Sequence, residues 1–345
     1  MQNNRYDPLE ERLDYYRQLT LEALSPIFQS KEPKKYLYDL VPTYPQRGGK
    51  GLRPGLCIGT CRAFGGSTNS AIKSAAAIEL FHNAFLVHDD VEDGSLFRRG
   101  KQTLHARHGV GIAVNVGDAM NVLSLSPLME NLVTIGPKLT WQVFTEIEHM
   151  VRQSVEGQAM ELGWVRDNIC TITEEDYLRM TLKKTCWYTC IHPIRIGALI
   201  GSGGSLGLDR FNRFGYFMGA AFQIQDDLLN LIGDKKKYGK EIGGDIWEGK
   251  RTLILIHLLN SCNAEERQRM ESFLASPRKE RLTKDVRWVR NLMAKYRSIE
   301  YAFEIAKGLA NEALEEFDVA YANAQESEDK NFIHMIVKYM VERDF

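Results

Sequence analysis

Residues 81–100 read FHNAFLVHDDVEDGSLFRRG, and how this stretch is read decides the fold. Asp89 and Asp93 stand at i and i+4, so on a helix their carboxylates lie one above the other on one face. Like charges so placed weaken a helix slightly, a cost removed when a cation neutralises them. Carboxylate oxygens suit Mg2+, which keeps several waters and usually shares its shell with substrate phosphates. Arg98 and Arg99 follow where the helix should end in a glycine-containing loop. Their planar forks match diphosphate oxygens, so acid followed by arginine points to a metal–diphosphate site. The plainer alternative, a solvated acidic helix end, stays open on this stretch alone. His82 lies seven residues before Asp89, two turns and roughly 10 Å along one face. A lone histidine on an apolar helix is usually a core residue, but this alignment makes it a candidate ligand.

The same helical period recurs along the chain, for example at Leu9, Leu13, Tyr16, Leu19 and Ala23 and at Ala302, Ile305, Leu309, Ala313 and Phe317. Alternating strand patterns are almost absent. The turns are glycine-rich, as in RGGKGLRPG (47–55), GVGIAVNVGD (109–118) and GSGGSLGLD (201–209). No linker or internal repeat divides the chain, and the charged stretch 263–298 is expected to form solvent-facing helices. Residues 1–345 therefore read as a single all-α domain. With 44 Lys+Arg against 45 Asp+Glu and no basic half, no nucleic-acid footprint is expected. No apolar run reads as long enough to cross a bilayer, and the polar amino terminus lacks the pattern of a secretory signal. The six Cys form no CxxC pair and read as buried thiols of a reducing compartment, which implies a soluble cytoplasmic protein.

A second acidic cluster is FQIQDDLLNLIGD, residues 222–234. Asp226, Asp227 and Asn230 are flanked by Phe222, Leu228, Leu229, Leu231 and Ile232, so this helix must be largely buried. Burying adjacent carboxylates is expensive without a basic partner or a metal. Downstream, KKKYGKEIGGDIWEGKR (235–251) offers Lys240 and Lys250 around a Gly-Gly turn, suited to holding a phosphate. A third cluster, GGKGLRP (48–54), is not the nucleotide P-loop. It places Lys50 and Arg53 at a glycine-led helix start, where backbone N–H groups favour anions. A cation there is otherwise unfavourable, which argues for an anionic ligand, although a solvated basic turn fits this segment equally.

Taken in order, GGKGLRP, DDVEDGSLFRRG, EGQAMEL, the Lys184-Thr185 pair, FQIQDD and GGDIWEGKRT resemble the trans-isoprenyl diphosphate synthases, the family of farnesyl and geranylgeranyl diphosphate synthases. The resemblance runs from about residue 45 to 260. It implies a large antiparallel helix bundle around a deep central cavity, with the two acidic motifs facing each other, as helix bundles build metal sites. By position, Asp89 and Asp93 look like ligands of two Mg2+ ions with Asp90 in support. Asp226, with Asp227 nearby, looks like the ligand of a third. Arg98, Lys184, Gln223, Lys240 and Lys250 resemble the groups that hold an allylic diphosphate, and Thr185, at an expected helix kink, leans toward the developing cation. Lys50, Arg53, His82 and Arg99 resemble the isopentenyl diphosphate site.

Two positions depart from the common pattern: Asn230 where many members have Asp, and Glu161 for Asp in the GQxxD segment. Asn keeps a carbonyl oxygen but loses a charge, which lowers the expected metal affinity on that side. The implied chemistry is a head-to-tail condensation. The neutralised diphosphate departs, the alkene of isopentenyl diphosphate attacks the allylic cation, and a proton is lost, with water kept out. Below the first motif, Phe85 and Ala84 stand where the resemblance puts the floor of the product tunnel, with Met120 and Ser124 on the facing helix. One ring and one methyl there imply geranylgeranyl diphosphate as main product. The alternatives are a farnesyl diphosphate synthase, a class I terpene cyclase, which needs no second diphosphate site, and a non-catalytic subunit of a heteromeric synthase, which would lose aspartates. A homodimer is implied as well, with a seam expected around Ala75–Phe85 and Ala113–Leu125.

Overall fold

Helix starts follow the capping chemistry of the sequence. Ser67 and Ser70 exchange side-chain-to-backbone hydrogen bonds of 3.1 Å at the start of the helix that carries the first acidic motif. Thr173 and Asp176 do the same before another helix, and Thr252 and Asn263 each cap one alone. Such caps satisfy amide N–H groups that have no partner within the helix. The computed structural model describes residues 7–233 and 243–342. Its helices are α1 (Asp7–Leu24), α2 (Leu52–Ala63), α3 (Thr68–Glu92), α4 (Leu104–His108), α5 (Val110–Leu123), α6 (Leu125–Thr134) and α7 (Gly136–Arg166). After α8 (Glu174–Thr181) comes a π-helical stretch, Leu182–Ile191, which runs directly into α9 (His192–Gly201). Then follow α10 (Arg210–Ile232), α11 (Gly244–Glu248), α12 (Leu253–Ser261), α13 (Ala264–Ala275), α14 (Thr283–Lys295), α15 (Ser298–Ala320) and α16 (Glu328–Glu342). Among the described residues, the strands are β1 (Phe97–Arg98) and β2 (Lys101–Gln102), a two-residue antiparallel hairpin.

The all-α architecture expected from the period is present. Helix α3 is buried along most of its length and runs through the interior, with the polar residues Glu79, His82 and Asp89 gathered on one stripe. Ala75, Ala76, Ala77, Ile78 and Leu80 are fully buried, and Ile78 and Leu80 contribute roughly 1.5–3 kcal/mol each. One core joins α1, α2, α3, α7, α9, α10, α15 and α16. A second lies under α8, α10 and α12–α15. A third packs α3 against α5 and the segment after α1. Helix α10 lies between α15 and the π-helical stretch, which in turn rests on α7.

Four expectations need correction. The Ala75–Phe85 half of the dimer seam is unavailable, because these residues form the interior of the subunit. Exposed apolar residues on α5–α7 include Val122, Leu125, Met129, Val133, Trp141 and Val155. Secondly, one stretch, Val110–Thr134, is by length and composition long and apolar enough to cross a membrane. In the structure it is divided at Ser124 into α5 and α6, which pack on α3 and α7. Thirdly, α13 and α14 are amphipathic, not merely solvent-facing: Met270, Phe273, Val289 and Met293 seal the second core. Finally, the buried thiols are Cys57, Cys61, Cys186 and Cys190, while Cys170 and Cys262 are half-buried.

Candidate active site

A cavity of about 1260 Å³ opens between α2, α3, α7, the π-helical stretch and α10. Its α3 wall is a helical stripe of Glu79, His82, Leu86 and Asp89. At the end of the stripe each aspartate of the first motif already has a cationic partner. Arg98 Nη2 donates to Asp89 at 2.9 Å, and Lys184 Nζ stands 3.6 Å from the same carboxylate. Asp93 caps α3 and takes the Lys250 ammonium at 2.6 Å. Burial, then the neighbouring Asp89 charge, still push the Asp93 carboxyl up to about 7. Asp90 turns away from the cavity. It is fully buried, accepting from Arg98 Nε at 2.8 Å and from the Tyr44 hydroxyl at 2.5 Å. Its position is that of an anchor for Arg98, not of the supporting metal ligand expected.

The second motif sits on α10, with Asp226 and Asp227 on the same cavity. Asp227 accepts from Gln223 at 2.8 Å and from the Tyr177 hydroxyl at 2.9 Å. Burial dominates and pushes its carboxyl up to about 7. Thr185 lines the cavity and donates to Gln223 at 2.7 Å, so Gln223 links it to Asp227. The kink expected there is the π-helical register of 182–191, which brings Lys184, Thr185 and Tyr188 to the wall together. Gly157 permits the close crossing of α7, since a Cβ there would lie 2.2 Å from the Lys184 amide nitrogen. That crossing puts Glu161 against the Lys184 ammonium. Burial raises the Glu161 carboxyl, but Lys184 and Lys250 outweigh it and hold the group below its ordinary value. Asn230 spends its side-chain oxygen on the Asp245 amide, at 3.1 Å. Lys240 lies outside the described residues.

The glycine-led basic cluster forms a separate group on the same cavity. Lys50, Arg53, His82 and Arg99 are brought together with Glu79 and Tyr188, two residues the sequence reading missed. Arg53 donates to Thr189 at 2.8 Å and lies 4.2 Å over the Tyr188 ring. Arg99 holds the left-handed φ of +53° at the hairpin turn and donates to the Gly48 carbonyl. Such a backbone is uncommon for a non-glycine residue and costs about 1–3 kcal/mol. Burial, then the neighbouring arginines, drive His82 well below its ordinary pKa, so it is neutral. Arg53 Nε and His82 Nδ1 are buried without a hydrogen-bond partner. Unsatisfied buried polar atoms in a cationic recess are what an anionic ligand would complete. Glu79 was legible, since it stands three residues before His82 on the same helical face.

Of the two positions expected to form a tunnel floor, one lines the cavity and the other does not. Phe85 lines the cavity, its ring edge-on to Tyr188 at 5.6 Å. Ala84 does not: it is fully buried in the α3–α5 core with Leu80, Val116 and Met120. Met120 and Ser124 are also fully buried, and Asn121 is the α5 residue on the wall. Ala84 instead faces α5, about 100° round the helix from Phe85, which leaves it inside the core.

The Mg2+ implied by the resemblance fits this donor set. Among the described residues no three acidic, His or Cys side chains converge to hold an ion by themselves. That is the usual Mg2+ situation, in which one or two carboxylates bind together with substrate phosphates. Burial is the main cause that raises both the Asp93 and Asp227 carboxyls.

Residues 34–293 match the model of the polyprenyl synthetase family. The chain belongs to that family. A geranylgeranyl diphosphate synthase of Saccharolobus solfataricus is 33% identical over 284 residues, covering 81% of this chain and 83% of that protein. The crystal structure of the geranylgeranyl pyrophosphate synthetase of Pyrococcus horikoshii is similar with a TM-score of 0.87 and 33% identity, over 99% of this chain and 100% of the other. An octaprenyl diphosphate synthase of Escherichia coli is 34% identical over 223 residues, covering 64% of this chain and 65% of that one. Family membership therefore accounts for the fold, while members of comparable identity carry different product lengths in their names.

Proposed function

We propose that the chain condenses isopentenyl diphosphate head-to-tail with allylic diphosphates and makes geranylgeranyl diphosphate as its main product. The observation that supports this is one cavity with two separate cationic groups, one beside carboxylates and one beside unsatisfied polar atoms. Two diphosphates at two chemically different ends are the natural occupants. Asp89 and Asp93 on one side, with Asp226 and Asp227 on the other, would hold Mg2+, about three ions as in the family resemblance. Bound there, Mg2+ supplies the positive charge that lets a diphosphate leave. Arg98, Lys184 and Lys250 hold the allylic diphosphate oxygens, and Gln223 orients Thr185 toward the carbon that becomes cationic. Lys50, Arg53, Arg99 and neutral His82 fix the second diphosphate so that its alkene end faces that carbon, a gain from orientation. Phe85, Leu86 and Phe222 line a dry stretch for the growing tail.

A terpene cyclase has no use for the cluster of Lys50, Arg53 and Arg99, and a non-catalytic subunit has no use for five retained aspartates. The exposed apolar face on α5–α7 supports a homodimer, because patches of that kind mark interaction surfaces. The four buried free thiols support a reducing, cytoplasmic setting. The deciding experiment incubates the purified chain with Mg2+, isopentenyl diphosphate and each allylic primer, and measures product length by chromatography. Twenty carbons is the expected main product, and Phe85→Ala should lengthen it. A main product of fifteen carbons would replace the length assignment with a farnesyl diphosphate synthase.

A further inference from the structure

Outside the cavity, two arginines hold the turn that delivers Lys250. Arg281 is 7% exposed, and its guanidinium donates to the carbonyls of Ile246 at 3.2 Å and Trp247 at 2.7 Å. Its remaining N–H groups go to the Leu274 carbonyl at 2.9 Å and the Ser276 carbonyl at 3.0 Å. These acceptors are all backbone carbonyls, and no carboxylate is among them. Burial, followed by the neighbouring Arg251 and Arg278, pushes its pKa down to about 10. A cation buried beside other cations is costly, so the four carbonyls that bind it are held firmly in return. Gly249, at φ +71°, lies against the same guanidinium, where a Cβ would sit 2.7 Å from Nη2.

Arg278 takes the other side of the turn. Its Nη1 donates to the Asp93 carbonyl at 2.8 Å and to Glu248 at 3.2 Å. Glu248 also meets Lys250 at 3.3 Å and the Ser95 hydroxyl at 3.3 Å. The turn 243–250 is thus tied to the end of α3, and Lys250 emerges from it 2.6 Å from Asp93. Neither arginine lines the cavity.

We propose that Arg278 and Arg281 are positioning residues that set the affinity for the allylic diphosphate by fixing the turn from which Lys250 is presented. The proposal rests on the assignment of Lys250 to that substrate. Arg281 fixes the backbone of Ile246 and Trp247, and Arg278 fixes the Glu248 carboxylate. A shift of about 1 Å in the ammonium would be enough to lose much of its contact with a diphosphate oxygen.

The test is steady-state kinetics of the full chain with Mg2+ and both substrates, with thermal melting in parallel. Arg281→Ala and Arg278→Ala should each raise KM for the allylic diphosphate about tenfold and leave KM for isopentenyl diphosphate within about twofold. Gly249→Ala, which crowds the guanidinium and also strains the left-handed turn backbone that Arg281 holds, should give the same split. Combining Arg281→Ala with Lys250→Ala should be no worse than Lys250→Ala alone, since both act through one group. If Lys250→Ala leaves the allylic KM unchanged, the underlying assignment fails and the proposal goes with it. If Lys250→Ala raises it but the arginine and glycine variants shift both constants equally, or only the melting temperature, the positioning role is overturned while the assignment stands. Should Arg281→Ala not fold, Arg278→Ala and Gly249→Ala carry the same decision.

Discussion

The two acidic motifs lie on one cavity, yet Asp227 of the second is met differently from the aspartates of the first. On α3, Asp89, Asp90 and Asp93 are each met by a cation, from Arg98, Lys184 or Lys250. On α10, Asp227 is met by Gln223 and Tyr177, which are neutral donors. In the proposed reaction the cations at the first motif would turn from carboxylate to phosphate oxygens as metal ions take their place. Gln223 and Tyr177 bring no positive charge to Asp227. Glu146 gives a reference away from the cavity. Burial raises it, but hydrogen bonds from Arg195 and His192 prevail and hold it down to about 2.

The largest expected effect tests the metal role shared by both ends. Asp89→Ala and Asp226→Ala should each lower kcat by at least about 10²–10³ at saturating Mg2+, the scale of losing a main electrostatic stabiliser, while circular dichroism stays unchanged. Near-normal turnover in either variant would break the assignment.

The sharpest contrast is in stability. Asp90→Ala leaves Arg98 without its buried anchor and should cost about 3–5 kcal/mol, a fall in melting temperature of roughly ten degrees. Asp227→Asn keeps neutral hydrogen bonding and should cost only about 1 kcal/mol. Equal losses in denaturant titrations would erase the distinction between a cation-matched and a neutral-matched carboxylate.

A smaller effect separates the two diphosphate groups. Lys50→Ala and Arg53→Ala should raise KM for isopentenyl diphosphate about tenfold and Lys250→Ala should raise KM for the allylic primer instead, each near 1.4 kcal/mol. Uniform changes in both constants would merge the two groups into one.

A further effect, away from the cavity, is the acid limb of stability. Because the folded Glu146 carboxyl is depressed from 4.5 to about 2, its contribution is present above the ordinary value and fades as pH falls from about 4.5 toward 2. Melts of the wild type should show this loss, and Glu146→Gln should flatten it. A variant that keeps the full wild-type slope would remove Glu146 as the reference.

The spacing of Asp89 and Asp93, the apolar flanks of Asp226 and Asp227 and the glycine-led Lys50 and Arg53 are local features, and a 3.6-residue period turns local spacing into shared faces. For this reason the helical class, the two acidic motifs and the separate basic cluster could be read from sequence alone. The tertiary structure decided what lies opposite each face. It sent Asp90 to Tyr44 and Arg98, placed Ala84 inside the α3–α5 core and left Phe85 on the wall. It also joined Arg278 and Arg281 to a turn thirty or more residues earlier. Tyr188 reached the cavity through a π-helical register that the ordinary helical period does not describe. Burial and partner choice depend on contacts between residues distant in the chain, and no spacing within one helix encodes them.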